Sequence, residues 1–300
     1  MKLPSSPIRA YSTIYISLIG FSILLDFIFI PVISSSLIRF YFIDFVNTCV
    51  LFFLGNYVYS SNNIYDLHWP LIPFLASIYF HISNDSIEFF SMERLPLFCI
   101  ISLWSYHLSF QTLTSSDNIQ HEDWRYQSMR KDYKQHFQLF AFLALHCLPM
   151  LQVLLGSSSI YYIYLNTQTG DNVNIMDIIL LMFIFIGVLI ENLADRQLND
   201  FRRYKSKSKQ HRFAVLSTGL WKHSRHPNYL GELIFWWGLF LFGYLHQAPF
   251  WCALGPFLIT LMMLFGSIPM SEERLYRKYP EYKFFQQKVS KLVPTFGLFE

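Results

Sequence analysis

The feature that most limits what this chain can fold into is the recurrence of apolar runs about as long as a bilayer is thick, such as IYISLIGFSILLDFIFIPVI at 14–33. A helix needs about 20 mostly apolar residues to cross roughly 30 Å of hydrocarbon. By that measure eight segments qualify, near 12–32, 40–59, 69–82, 95–113, 137–155, 174–194, 229–247 and 249–268. The composition agrees: 53% of the 300 residues are hydrophobic and 14% are charged, whereas soluble domains carry roughly a quarter charged residues. The fold class this predicts is an all-α polytopic membrane helix bundle, and it excludes a disordered chain, a collagen-like repeat and a secreted disulfide scaffold. The third segment is short, opens at Trp69-Pro70 and meets Pro73 one turn later, so it reads as tilted, kinked or re-entrant, with seven spans as the alternative count. The first segment has a span's length and no small-residue cleavage site, so it reads as a span rather than a signal peptide.

The net charge of +3 matters less than where the charges fall. Lys2 and Arg9 precede the first span, and Arg125, Arg130, Lys131 and Lys134 follow the fourth. DRQLNDFRRYKSKSKQHRF follows the sixth, and RLYRKYPEYKFFQQKVSK lies in the tail. Basic residues collect on the cytosolic side of membrane proteins. With eight spans all four groups share that side, both termini are cytosolic, and the loops after spans five and seven carry no Lys or Arg. The endoplasmic reticulum is the expected membrane, and the sequon Asn84-Asp85-Ser86 falls on the luminal side. The basic loop from Arg196 to Arg225 thus orients the protein rather than binding nucleic acid, and KSKSKQ at 205–210 reads as solvated or facing lipid headgroups.

Common site signatures are missing: GxGxxG, GxxxxGK[ST] and GxSxG do not occur. Cys49, Cys99, Cys147 and Cys252 each lie in an apolar run without a CxxC, and His223 and His226 have Pro227 after them and no carboxylate at ligand spacing. No metal is expected. What remains is polar chemistry where spans meet the cytosolic face. Span six ends in ENLADRQLNDF, with Glu191 and Asp195 four apart on one helical face and Gln197 and Arg202 beyond. A carboxylate in hydrocarbon is costly and marks a site by default, which also singles out Asp26 in span one and, as an ionisable group, His107 in span four. In GLWKHSRHPNYLGELIFWWG at 219–238, Pro227 suits the first turn of a helix. Arg225, His226, Asn228 and Tyr229 then crowd a helix N-terminus, where backbone donors favour a phosphate or carboxylate. Glu232 lies one turn further in, followed by Trp236 and Trp237. EDWRYQSMRKDY at 122–133 mixes Glu122, Asp123, Arg125 and Arg130 with Trp124 and Tyr126, and reads equally well as an ordinary loop. In the tail, Glu272, Leu275, Tyr276 and Tyr279 recur at helical spacing with Tyr282 beyond Pro280, as in a segment lying on the membrane or capping a cavity.

The run Arg225-His226-Pro227-Asn228-Tyr229-Leu230-Gly231-Glu232, the Trp-rich span after it and the tail EE..LY..YPEY…VP resemble the steroid 5-alpha-reductase-like membrane proteins, closest to their DUF1295 branch. HEDWRYQSMR and E...AD.Q at 191–197 share the resemblance, which covers roughly 121–300. Before residue 121 it is confined to DLHW at 66–69 and LWSYHL at 103–108. The same run is similar to the sterol C14-reductases and to the isoprenylcysteine carboxyl methyltransferases. The two reductase groups use NADPH on a carbon–carbon double bond and the methyltransferases use S-adenosylmethionine, each in a membrane cavity open to the cytosol.

The resemblance implies a cofactor domain at 121–300 and a substrate side in helices 1–4, residues 1–120. It carries the cofactor role to Glu191 (Asn in the steroid enzymes), Asp195, Arg202, Asn228, Glu232 and Tyr276. Arg202 and Arg225 would pair with phosphates, Asp195 and Asn228 would hold ribose or amide groups, and His226 and Tyr229 complete the cluster. Hydride delivery to a lipid enone needs a donor at the carbonyl oxygen. In the steroid enzymes a Glu and a Tyr hold it; here Tyr106, beside His107, takes the place of the Tyr, the Glu has no counterpart, and His107 stands where the branch has Arg. The expected function is thus an NADPH-dependent lipid double-bond reductase with a steroid, isoprenoid or other sterol-like lipid as substrate. A methyltransferase of the isoprenylcysteine or phospholipid type and a non-catalytic lipid-binding scaffold are the alternatives.

Overall fold

The computed structural model describes residues 7–83, 94–115, 119–120, 122–166, 173–207 and 215–294, and every regular element among them is helical. Lys2, the sequon at Asn84, His121, the end of the KSKSKQ run and Arg212 lie outside the described residues. Among the described residues, five helical segments are long and apolar enough to cross a bilayer: Ile8–Phe29, Ser36–Tyr59, Trp124–Asn166, Ile175–Lys205 and Phe250–Lys278. The protein is a multi-pass membrane protein. These five match expected spans one, two, five, six and eight. The other three expected spans are helical too, but one has only 11 residues and two are diluted by polar residues. The chain forms two compact units, Met1–Asn172 with His246–Gly255, and Val173–Leu245 with Pro256–Glu300. This division by packing differs from the division at 120/121, which follows motifs.

The first unit contains α1 (Pro7–Phe29), α2 (Ser36–Phe53), α3 (Ile72–Ile82), α4 (Arg94–Ser115), α5 (Trp124–Tyr133), α6 (Phe137–Phe140) and α7 (Leu148–Asn166). The Ser35 side chain caps α2 by accepting from the Ile38 N–H, which satisfies one of the free donors of a helix start. Helix α2 runs into a π turn at Leu54–Tyr59 and stops at Ser60, which has a φ of 57°. There the chain folds back so closely that a Cβ on Gly55 would lie 2.8 Å from the Ser61 carbonyl oxygen. Two 3₁₀ turns follow, at Asn62–Leu67 and Trp69–Leu71. Pro70 and Pro73 fall in the first turns of the second 3₁₀ turn and of α3, where no N–H is needed, so they start helical structure rather than kink a span.

Charges placed in apolar sequence here are fastened to the backbone and to one another. Asp26 accepts from Arg39 at 3.0 Å and from the Tyr79 hydroxyl at 2.7 Å, and Arg39 also donates to the carbonyls of Ile33 and Ser34 across the α1–α2 turn. Asp26 is thereby a hairpin lock. Glu122 takes Arg130 through two bonds, 2.8 and 3.1 Å long, and the Asn62 amide at 2.8 Å. Asp123 caps α5 through the Arg125 N–H, and Tyr126 donates to Asp66. The EDWRYQSMRKDY cluster therefore ties α5 to the 62–67 turn.

Burial pushes the Asp66 carboxyl from 3.8 up to about 6, with Asp123 adding to the rise and Arg125 and Tyr126 opposing it. A raised acid means that the folded chain holds a proton the unfolded chain has released. Stability contributed by Asp66 is thus highest at acid pH and falls as pH climbs from about 4 to about 6. Asp66→Asn keeps an acceptor for Tyr126 and removes the charge. It should flatten unfolding free energy against pH over that window and gain on the order of 2 kcal/mol at neutral pH. An unchanged slope in denaturant titrations would refute this assignment.

The second unit contains α8 (Ile175–Lys207), α9 (Pro227–Leu245), most of α10 (Leu254–Met262), α11 (Ile268–Lys278) and α12 (Tyr282–Lys288). At 1.5 Å per residue the 33 residues of α8 rise about 50 Å, more than a bilayer core, so its polar end continues beyond the apolar part. Asn174 and Asp177 cap its start reciprocally. Helices α8 and α9 pack through glycine. A Cβ on Gly231 would lie 2.6 Å from the Glu191 nitrogen and the Gly187 oxygen, one on Gly187 2.8 Å from the Gly231 oxygen, and one on Gly238 2.7 Å from Ile184. Small residues let helix backbones approach where lipid gives no hydrophobic drive for association. The 219–222 turn docks on α8: Gly219 has a φ of 61°, Leu220 N–H donates to Gln197, and Trp221 Nε1 donates to the Ala194 carbonyl at 2.9 Å. Trp236 is fully buried and Trp237 bonds Thr260, so both serve packing rather than an interfacial belt.

Candidate functional site

The polar residues of the second unit meet at the start of α9. Pro227 begins the helix, the His226 N–H donates to Ser224 Oγ, and the His226 carbonyl accepts the Leu230 N–H. This fixes the direction of three successive side chains. Asn228 Nδ2 reaches across to α8 and donates to Asp195 Oδ1 at 3.1 Å, while its Oδ1 is buried with no hydrogen-bond partner among the described residues. Glu232, one turn on, is buried and close enough to Asp195 for the two charges to interact. The imidazole of His226 stacks on Tyr229, with centroids 5.4 Å apart and planes 8° from parallel.

A second network joins this loop to the tail through Glu272 of α11, which is only 8% exposed. Its Oε1 lies 3.0 Å from Arg225 Nε and 3.1 Å from His226 Nε2, and its Oε2 accepts from Gln286 at 2.9 Å. The Tyr282 hydroxyl approaches Oε1 at 3.5 Å. Arg225 further donates to the Gln286 carbonyl through its side chain and to the Ser290 carbonyl through its backbone. Beside this hub is a cavity of about 420 Å³ lined by Pro269, Glu272, Glu273, Tyr276, Lys283 and Gln286. Among the described residues, no group of three or more His, Cys, Asp and Glu side chains is arranged to hold a metal.

The sequence-predicted residues thus separate into sets. Asp195, Asn228 and Glu232 come together, and so do Arg225 and His226 around Glu272, with Tyr229 stacked on His226. Glu191 is buried against Gly231, behind α9. Arg202 is exposed two turns beyond Asp195, and Tyr276, 46% exposed, lines the cavity. Tyr106 and His107 belong to the first unit. Tyr106 is 67% exposed on α4 and stacked on Phe110, and His107 Nε2 accepts from the Gln111 amide at 2.7 Å. Glu272 is the residue that sequence reasoning named only for its spacing. Its signal is the paired EE of the tail, but its partners are 46 and 47 residues away.

Chemically, the Asp195–Asn228–Glu232 set is rich in acceptors and suits donors such as ribose hydroxyls or a carboxamide. Arg202 is exposed further along α8, and Lys283 lines the cavity beside Glu272. The residues present fit a ribose-bearing cofactor, with Arg225 engaged by Glu272 instead of pointing to solvent.

The chain is similar to an uncharacterised protein of Schizosaccharomyces pombe, C594.04c, with 26% identity over 275 residues that cover 83% of this chain and 79% of the relative. No solved structure matches it. The family model described as protein of unknown function (DUF1295) matches residues 52–289, so the likeness extends well before residue 121. The buried Asp195, Glu232 and Glu272 and the half-buried Asn228 all lie within that match, and the chain belongs to the DUF1295 family.

Proposed function

We propose that the protein is an NADPH-dependent oxidoreductase that reduces a carbon–carbon double bond in a steroid, isoprenoid or other lipid enone at the endoplasmic reticulum membrane. The observation that carries this reading is the Asn228–Asp195 bond across α8 and α9, with the buried Asn228 Oδ1 still open to a donor. Bound NADPH would supply the hydride. Asp195 and Asn228 accept from its ribose hydroxyls or carboxamide, Glu232 holds that set in place, and Arg202 pairs with phosphate. Glu272 orients Arg225 and His226 at the mouth of α9, while Tyr276 covers the adjoining cavity. On the substrate side, Tyr106 donates to the carbonyl oxygen and His107 stands next to it.

The ion pair between Arg225 and Glu272 favours a second reading, S-adenosylmethionine-dependent methyl transfer. It occupies a cation that a dinucleotide phosphate would use, whereas acceptor-rich residues serve the ribose of either cofactor. Thermal unfolding in detergent with NADPH, NADH or S-adenosylmethionine distinguishes the two, because a ligand that binds only the folded state raises its stability. We expect NADPH to raise Tm and both Asp195→Ala and Asn228→Ala to lose most of that shift while folding normally. A full NADPH shift in both variants would sink the site. A shift with S-adenosylmethionine alone would reassign the chemistry, and indifference to all three would leave a lipid-binding scaffold.

A further inference from the structure

The first unit contains a second polar cluster that the proposed cofactor chemistry does not use. It is built from Tyr11 of α1, Asp44 and Thr48 of α2, Tyr65 and His68 of the 62–68 turn, and His146 of the π segment Ala141–Cys147. None of the six is more than 5% exposed. His68 Nε2 lies 2.8 Å from Asp44 Oδ1, and in the tautomer that donates its proton there Nδ1 is an acceptor. His146 Nδ1 donates to the Ala141 carbonyl at 3.0 Å, which leaves its Nε2 as an acceptor. Both of these nitrogens, Asp44 Oδ2 and the Tyr11 hydroxyl are buried without a hydrogen-bond partner among the described residues. The Tyr65 ring centroid lies 5.6 Å from that of His68 and 5.0 Å from that of His146, and Phe52 meets His146 edge-on at 5.2 Å.

Burying one polar atom without a partner is costly, and four in one place point to a ligand that supplies bonds. Three of the four are acceptors, so an anion is repelled and a donor is required. The phenol of Tyr11 can in turn donate, and a hydroxyl is the group that both donates and accepts. A π turn, which carries His146, recurs at functional sites because it re-aims side chains within a helix. Helix α1, which carries Tyr11, exposes Ile16, Ile23 and Phe27, side chains suited to contact with lipid. We propose that this cluster is a binding site for the hydroxyl head of a lipid alcohol, whose single proton goes to His146 Nε2. The inference is independent of the reductase reading.

The test uses the full-length protein in detergent, with hexadecanol and a sterol alcohol compared with the methyl ether of each. At least one alcohol should raise Tm, and its ether, which cannot donate, should bind about tenfold more weakly. His146→Phe keeps the ring and leaves the Asp44–His68 pair intact, so it should fold and still lose about tenfold in alcohol affinity. Equal shifts from alcohol and ether, no shift from either alcohol, or undiminished alcohol binding by His146→Phe would each overturn the proposal. NADPH and S-adenosylmethionine are added to the same samples. A response to alcohol without a response to NADPH refutes the reductase reading and keeps this site, and the converse refutes this site alone.

Discussion

Glu272→Ala is expected to destabilise the protein by about 3–5 kcal/mol, because it removes one partner of a buried ion pair and strands the other. The side chains of Arg225 and Glu272 are 10% and 11% exposed, so water cannot replace the lost carboxylate without opening the loop. Gln286 and His226 lose a partner in the same step. Glu272→Gln should cost less, since a neutral acceptor still serves Gln286 and Tyr282 while Arg225 loses its counter-charge. The decisive variant is the double one: Arg225→Ala in the Glu272→Ala background should recover part of the loss, as no unpaired guanidinium remains. Chemical unfolding in detergent reads all of these. If the two single losses simply add in the double variant, Arg225 and Glu272 are not coupled.

Gly231→Ala should cost about 3 kcal/mol or more, a large effect for one methyl group. Added volume in a packed seam typically costs 1–3 kcal/mol when side chains can shift, but here the new Cβ meets the Glu191 nitrogen and the Gly187 oxygen at 2.6 Å. Backbone atoms yield only if α8 and α9 separate, which would also pull Asn228 from Asp195. Loss of cofactor-induced stabilisation should therefore accompany the loss of stability. Gly20→Ala on α1 is the control, because nothing lies within 4 Å of a Cβ there. It should be neutral or raise stability by about 0.5–1 kcal/mol through helix propensity. Similar behaviour of the two variants in thermal unfolding would rule out the tight seam.

The helices were legible because apolar runs of a span's length have few other solutions. The third segment was read less well: Pro70 and Pro73 suggest a kink until one sees that both sit in first turns. In the RHPNYLGE run the residue types were informative, but the role of Gly231 depends on Gly187, 44 positions earlier, and no local pattern reveals it. Arg225 looked available for phosphate for the same reason, since a cation has no visible partner in sequence when its carboxylate is 47 residues away. Asp26 marked itself as costly in hydrocarbon, correctly, yet cost alone does not separate a catalytic acid from a lock on Arg39. Local rules found elements and flagged expensive residues; the identity of each partner came from packing.

Between α10 and α11 the helix passes through a π turn at Met263–Ser267. An α-helix advances about 100° per residue, so one residue accommodated in a widened turn rotates everything after it by about that angle. The turn acts as a phase shifter: the apolar residues before it and the face bearing Glu272 after it are set independently, although they lie on one continuous helix. Changes of chain length at 263–267 are thus not interchangeable with substitutions there. A substitution alters packing locally, whereas losing a single residue would turn the carboxylate away from Arg225 and His226 while leaving every side chain of the hub chemically intact.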